Sequence, residues 1–426
     1  MIAVPESSAP VKEAVETALA TVPSIEVDEV ISDYPDGGLQ AWLVVAGTFI
    51  AHFLVFGVIY SFGIYNSYYL NLGIGSAAAV SMIGSVGIAL MDLLCISASI
   101  LAEKFGFRQV IFLGTVFMSL GLFLSSFTTS LPLLICTQGV MFGIGASFIY
   151  LPAVSLPAQW FLKKRGLAMG IAVSGSGCGG LVFSILSAKL LESVGLAWTL
   201  RVTAIICLVL MSLFVPFMKT RIPPRKGKAD YTFLKKASFY YLFFACFFFT
   251  FSEYISVDFI PLYAQMRLGL PLADQATIMS VYNGSNIAGR LLMGFLSDKY
   301  LGHLNSWVIC LWVTVIGVCT WLAAASYVSL AVVSAVIGFF DGGFWCLFPV
   351  VVAKVFDGDS SLATLLGTTY TLVTVANLAG PPLSGLILEK YGLDWMVIFV
   401  AGLALLAALP GTQGRLSFSK TIFAKV

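Results

Sequence analysis

The stretch Tyr282–Lys299 reads YNGSNIAGRLLMGFLSDK. Arg290 stands inside an apolar run of membrane-spanning length. An ionised arginine at a bilayer centre costs roughly 2.5–3.5 kcal/mol on insertion scales, so it requires a partner or a task. Asn283, Asn286 and Arg290 follow an i, i+3, i+7 spacing and share one face of a helix. Two amides and a guanidinium on one face describe the wall of a solute pathway.

Composition fixes the solvent. The chain is 59% hydrophobic and only 10% charged, with a mean hydropathy of +0.97. A soluble chain carries about 25% charged residues, so there is too little polar surface here for water alone, and the bilayer is the expected solvent. A spanning helix needs about 20 apolar residues. Helices are expected near 42–66, 77–101, 109–128, 131–153, 166–188, 197–218, 237–264, 274–296, 304–325, 328–353, 362–388 and 393–410. The expected fold is an all-α membrane protein of twelve transmembrane helices in two pseudo-symmetric six-helix bundles. Its parts are an acidic disordered tail (1–34), an N-terminal bundle (35–218), a basic linker (219–236), a C-terminal bundle (237–410) and a second tail (411–426).

Charge in the loops orients the chain. Lys104, Arg108, Lys163, Lys164, Arg165, the linker Lys219–Lys236, Lys299, Lys354, Arg415, Lys420 and Lys425 alternate with a sparse set, Lys189, Arg201, Arg267 and Lys390. Basic loops stay in the cytosol, which places both termini there. The plasma membrane is the default location, with a vacuolar or other internal membrane left open. A net charge of +2 gives no reason to expect nucleic acid as a partner. The eight cysteines stand singly in apolar runs without metal-ligand spacing, and read as small buried hydrophobes. No metal or cofactor is expected, and the chain is read as a monomer.

The halves echo each other. Ser99–Arg108 follows the second helix as Gly294–Lys299 follows the eighth. Gly139, Gly143 and Pro152 are matched by Gly338, Gly342 and Pro349, and Gly170 by Gly367, at offsets of about 195–199 residues. Glu103, Lys104, Arg108, Asp298 and Lys299 are thereby read as gate-loop residues.

Ionisable residues inside apolar runs are His52, Asp92, Glu253, Asp258, Arg290 and Asp341, on helices 1, 2, 7, 8 and 10. Helices 3, 6, 9 and 12 have none in their interiors and are free to face lipid. The planar fork of Arg290 suits a carboxylate, against the plainer reading of an ion pair with Asp341. Asp341, Glu253 and His52 are the candidates for proton coupling or ion pairing, Asp92 is expected near the solvated inner interface, and Asp258 lies toward the outer end. Gly166–Gly180, GLAMGIAVSGSGCGG, reads as a close-packing surface. It lacks a P-loop lysine, and no constellation suggests an enzyme.

Pro35-Asp36-Gly37-Gly38-Leu39-Gln40-Ala41-Trp42 resembles the opening signature of the monocarboxylate transporter family within the major facilitator superfamily, in its fungal branch. Gln159–Gly170, running on to Ser174-Gly175-Ser176-Gly177, resembles that family's helix-5 motif, and Arg290…Gly294…Asp298 resembles its eighth helix. The resemblance implies alternating access, often with protons, and an anion on the helix-8 arginine. Two departures matter: the family's helix-8 acid falls at Asn286, and its helix-1 lysine falls near Tyr60. Lactate-like cotransport is therefore disfavoured. Ser99 and Glu103 also stand where the superfamily favours Gly and Asp.

The expected function is secondary transport of a small organic solute, a mono- or dicarboxylate-type anion. Arg290 would bind it, Asn286, Asn283 and Tyr60 would shape the pocket, and protons would be the coupling ion where coupling exists. The alternative is an exporter or facilitator of a larger metabolite, riboflavin-like or secondary. A non-transporting sensor is the third reading, weakened by short tails and a short linker.

Overall fold

The computed structural model describes residues 35–161, 164–221, 232–356 and 362–418. Twelve helical rods follow in order: α1 (Leu39–Asn71), α2 (Ala77–Phe105), α3 (Phe107–Ser125), α4 (Leu131–Gln159), α5 (Arg165–Ser193), α6 (Gly195–Phe217), α7 (Ala237–Leu268), α8 (Leu272–Leu296), α9 (His303–Trp321), α10 (Tyr327–Val355), α11 (Leu362–Tyr391) and α12 (Leu393–Phe418). There is no strand among the described residues. Eleven of these rods are long and apolar enough to cross a membrane. The exception is α8, whose Asn283, Ser285, Asn286 and Arg290 lower its hydropathy.

Most helices outrun their expected ends, since apolar windows find the hydrocarbon core and miss the flanking turns. Residues 411–418, expected in a tail, continue α12 through Pro410. The acidic tail 1–34 and much of the basic linker lie outside the described residues. α1 is interrupted at Ser61, whose hydroxyl donates to the Val58 carbonyl. The α2–α3 and α8–α9 turns are each closed by a glycine in the left-handed region, Gly106 at φ 100° and Gly302 at φ 85°, a conformation that penalises any Cβ.

The internal repeat is visible in packing. A Cβ on Gly139 or Gly143 of α4 would meet the Ile83 or Gly87 carbonyl oxygen of α2. A Cβ on Gly338 or Gly342 of α10 would meet the Tyr282 or Asn286 carbonyl oxygen of α8. Both contacts recur at one constant shift along the chain, so the glycine matches in the sequence mark the same helix–helix contact built twice.

The run 166–180 divides its faces. Gly175 and Gly179 press on the Phe49 and Phe53 carbonyls of α1, while Gly177 and Gly180 face Ile287 and Asn283 of α8. One face thus packs within the N-terminal six helices and the other across to the C-terminal six. Further cross-half contacts pair α2 with α11 and the second part of α1 with α7 and α8. Helices α3, α6, α9 and α12 stay peripheral and expose Leu113, Ile205, Ile316 and Leu406, among others, as their uncharged interiors led us to expect. The cysteine expectation is only half met: Cys95, Cys207, Cys246 and Cys310 are buried, whereas Cys136 of α4 and Cys319 of α9 are exposed.

The seams are closed at one end. Away from the basic loops, Ala78 N–H donates to Glu389 Oε1 at 2.8 Å and Asn66 Nδ2 to the Asp258 carbonyl at 3.4 Å. Ser67, Gln265 and Asn71 form a further polar clasp there. Toward the basic loops the α5–α8 seam ends where Arg290 Nη1 meets the Val173 carbonyl at 3.5 Å. One turn beyond, a Cβ on Gly170 would find nothing within 4 Å. The two halves form a V that opens at the basic end.

Candidate functional site

The apex of the V is lined by α1, α4, α7, α8, α10 and α11. Arg290, Trp345, Tyr150 and Tyr370 keep part of their surface accessible. Tyr60 (3%), Glu253 (3%) and Tyr254 (5%) are nearly sealed. Tyr60 of α1, Glu253 of α7, Arg290 of α8 and Asp341 of α10 lie within electrostatic reach of one another, so four helices bring ionisable side chains together at the apex, with Asp341 buried behind the chamber wall.

Arg290 is held by its own helix. Its Nε donates to Asn286 Oδ1 at 2.9 Å, one turn back, because helical side chains lean toward the N-terminus. Nη1 makes only the 3.5 Å contact to Val173. Among the described residues the guanidinium has no carboxylate among its hydrogen-bond partners, and it keeps donor capacity for a ligand. Asn286 Nδ2 is buried with no hydrogen-bond partner. The Tyr60 hydroxyl is a near neighbour of the guanidinium.

The alternative reading, an Arg290–Asp341 ion pair, is not seen among the described residues. Asp341 is fully buried and takes Tyr282 Oη at 2.7 Å on Oδ2 and Thr314 Oγ1 at 3.3 Å on Oδ1. It knits α8, α9 and α10 together. Asn283, expected in the pocket, lies instead in the α5–α8 seam against Gly180, with Nδ2 donating to the Met279 carbonyl at 2.9 Å. The i, i+3, i+7 spacing does align the three residues, but the seam covers the first of them.

Glu253 stands differently. Trp345 Nε1 donates to its Oε2 at 2.7 Å, while Oε1 is buried with no hydrogen-bond partner. His52 is 2% exposed; its Nδ1 lies 2.9 Å from the Thr48 carbonyl, which only accepts, so Nδ1 carries a proton. Its ring stacks on Phe56 and meets Tyr150 edge-on. Asp92, expected near solvent, is buried and accepts from Asn377 Nδ2 across the α2–α11 seam at 2.6 Å. Asp258 Oδ2 is buried and unpartnered at the closed end.

The residues read from the sequence as gate loops lie at the basic end. Glu103, Lys104, Asp298 and Lys299 are exposed. Lys104 lies over the Phe105 ring and Lys299 over Phe295 and Tyr300. Arg108 differs, with Nε and Nη2 buried and unpartnered.

Sequence reading missed Trp345, Tyr150, Tyr370 and Asn377. Trp345 sits one turn after Asp341 in FFDGGFW, and helical spacing puts the two on one side of α10. Asn377 is a lone amide in an apolar helix, the same signal that marked Asn286.

The sequence profile of the Major Facilitator Superfamily matches residues 44–311 and 272–413. "MFS transporter asaE" of Aspergillus flavus is 31% identical over 369 residues, 85% of this chain and 83% of that protein. "Aspyridones efflux protein apdF" of Emericella nidulans is 31% identical over 363 residues, 84% of this chain and 74% of that protein. A bacterial homolog of the human lysosomal transporter Spinster, solved in an inward-facing and occupied conformation, superposes with a TM-score of 0.74. It shares 17% identity and covers 90% of this chain and 99% of that one, which is a likeness of fold. Two repeat-related sets of six spans, an apex lined from both of them and a profile match along nearly all of the helical region agree: this multi-pass membrane protein is a transporter of the Major Facilitator Superfamily, not an enzyme.

Proposed function

We propose that the protein exports an acidic organic metabolite by alternating access between its two halves. The observation that carries the reading is the state of Arg290. It is a guanidinium at the apex of the V, positioned by Asn286 and not hydrogen-bonded to any acid. A fixed cation with free donors in a low-dielectric chamber recognises an anion. Arg290 and Asn286 bind the acidic end, and Tyr60 bounds the chamber beside them. The aromatic lining suits a solute larger than lactate. Trp345 and Tyr370 rings lie 6.1 Å apart, and Phe348 and Tyr370 6.4 Å.

The opening and helix-5 motifs support a place in the monocarboxylate-porter branch, while Asn286 and Tyr60 at the two departures support a different solute. A relative named for efflux of aspyridones supports the outward direction. The basic loops support cytosolic termini, which makes the V inward-open, and the plasma membrane is the membrane at which efflux serves the cell.

Deletion of the gene followed by untargeted comparison of metabolites inside and outside cells tests the reading. We expect an acidic metabolite to be retained inside the deletion strain and restored to the medium by the wild-type gene but not by Arg290→Ala. Equal restoration by Arg290→Ala removes the arginine from the mechanism.

A further inference from the structure

We propose that the chamber recognises a two-ended aromatic solute: an anionic end on Arg290 and Asn286, and a hydrogen-bond donor, a phenol or N–H, on Glu253 Oε1. This deepens the export reading above and rests on it for the anionic end.

The second end stands on its own geometry. Glu253 is fixed by one contact only, the 2.7 Å bond from Trp345 Nε1 to Oε2. That bond orients the carboxyl and leaves Oε1 as a buried acceptor without a donor. A buried carboxyl oxygen left unsatisfied is costly, so a group that supplies a donor there gains more than it would at a hydrated surface. The two sites are complementary in kind. Arg290 and Asn286 Nδ2 present donors, and Glu253 Oε1 presents an acceptor. Among the described residues the two groups do not hydrogen-bond to each other; each is turned to another partner. The rings of Tyr60, Tyr150, Trp345 and Tyr370 neighbour these two groups and one another, and such an aromatic surround favours a flat apolar body. Trp345 is a positioning residue: its indole N–H sets which oxygen of Glu253 faces the solute.

Naphthoates carry the two ends at opposite edges of a rigid plate, so they isolate the claim. Binding of 6-hydroxy-2-naphthoate and 6-methoxy-2-naphthoate is measured calorimetrically on the full chain in nanodiscs. The hydroxyl offers a donor and the methoxy group only an acceptor. We expect the hydroxy compound to bind about tenfold more tightly, the worth of one well-made hydrogen bond. Glu253→Gln keeps an oxygen for Trp345 and turns an amide N–H toward the solute, so the preference collapses or inverts to the methoxy compound. Equal binding of the two compounds to the wild-type protein, absence of measurable binding of both, or a preference that survives in a Glu253→Gln protein with a wild-type elution profile overturns the proposal. Should Glu253→Gln fail to fold, the wild-type comparison alone decides. Loss of the hydroxyl preference with Arg290-dependent export intact defeats only this inference. Export insensitive to Arg290→Ala defeats the reading beneath it.

Discussion

Asn377 of α11 donates to Asp92 Oδ2 of α2 at 2.6 Å, and this bond joins the two halves at their buried middle. Asp92 is 8% exposed and Asn377 is fully buried, so neither has water to fall back on. Asn377→Leu leaves a buried carboxyl oxygen unsatisfied and costs about 1–3 kcal/mol. Asp92→Asn is milder, since an amide oxygen still accepts from Asn377. The expected result is a lower apparent melting midpoint in detergent for Asn377→Leu than for Asp92→Asn. The reverse order would show that the donor side contributes little.

The backbone contact between α8 and α10 makes a sharper demand. A Cβ on Gly289 would overlap the Phe339 carbonyl oxygen, whereas one on Gly402, on the exposed side of α12, meets nothing within 4 Å. Overpacking costs about 1–3 kcal/mol and more where backbone is the obstacle. An exposed helical Gly→Ala change is favourable by about 0.8–1 kcal/mol. Gly289→Ala is expected to cut the yield of monodisperse protein, and Gly402→Ala to leave it equal or higher. Equal yields would mean that the two helices separate without penalty.

These two contacts mark where sequence reading succeeds and where it stops. Twelve spans were legible because each must satisfy its own backbone bonds in lipid. Arg290 was legible because a lone charge in hydrocarbon demands an explanation. The glycine pairs were legible as a repeat, since they recur at nearly constant offset. Partners were not: which acid meets Arg290 depends on how α8, α9 and α10 rotate about their axes, and Tyr282 and Thr314 turn out to hold Asp341 instead. Asn283 shares a face with Arg290, yet α5 covers it. Trp345 escaped because aromatic residues make up 14% of the chain, and no periodicity tells a chamber ring from a lipid-facing one.

Asp341 is saturated by donors on both oxygens and buried from the chamber. A group so placed anchors helices. Tyr282→Phe removes the shorter bond and is expected to cost about 1–3 kcal/mol in stability, read as a drop in the apparent melting midpoint. Asp341→Asn, which keeps one acceptor oxygen, is expected to retain solute flux in proteoliposomes. Abolished flux in a well-folded Asp341→Asn protein would return Asp341 to the coupling groups.

Alternating access requires the V to close at its basic end, and Gly170 is where that closure must pass. The α5–α8 seam runs antiparallel from Gly180 on Asn283 to Val173 on Arg290. Continued by one turn, the same register sets Gly170 opposite Met293–Gly294. Gly170 is exposed and unobstructed in this state. A large side chain there is therefore accommodated with the mouth open and blocks the approach of α8 when the mouth shuts. Gly170→Trp is expected to give a normally folded protein that binds solute from the basic side and shows no net flux. A cysteine pair at 170 and 294, with Cys346→Ser because Cys346 Sγ lies 3.3 Å from a Cβ at 294, is expected to cross-link only in the fraction of molecules that has closed that end. Wild-type flux in Gly170→Trp would show that α5 and α8 do not approach there. The rocking of the halves would then have to close the mouth along the α2–α11 seam alone.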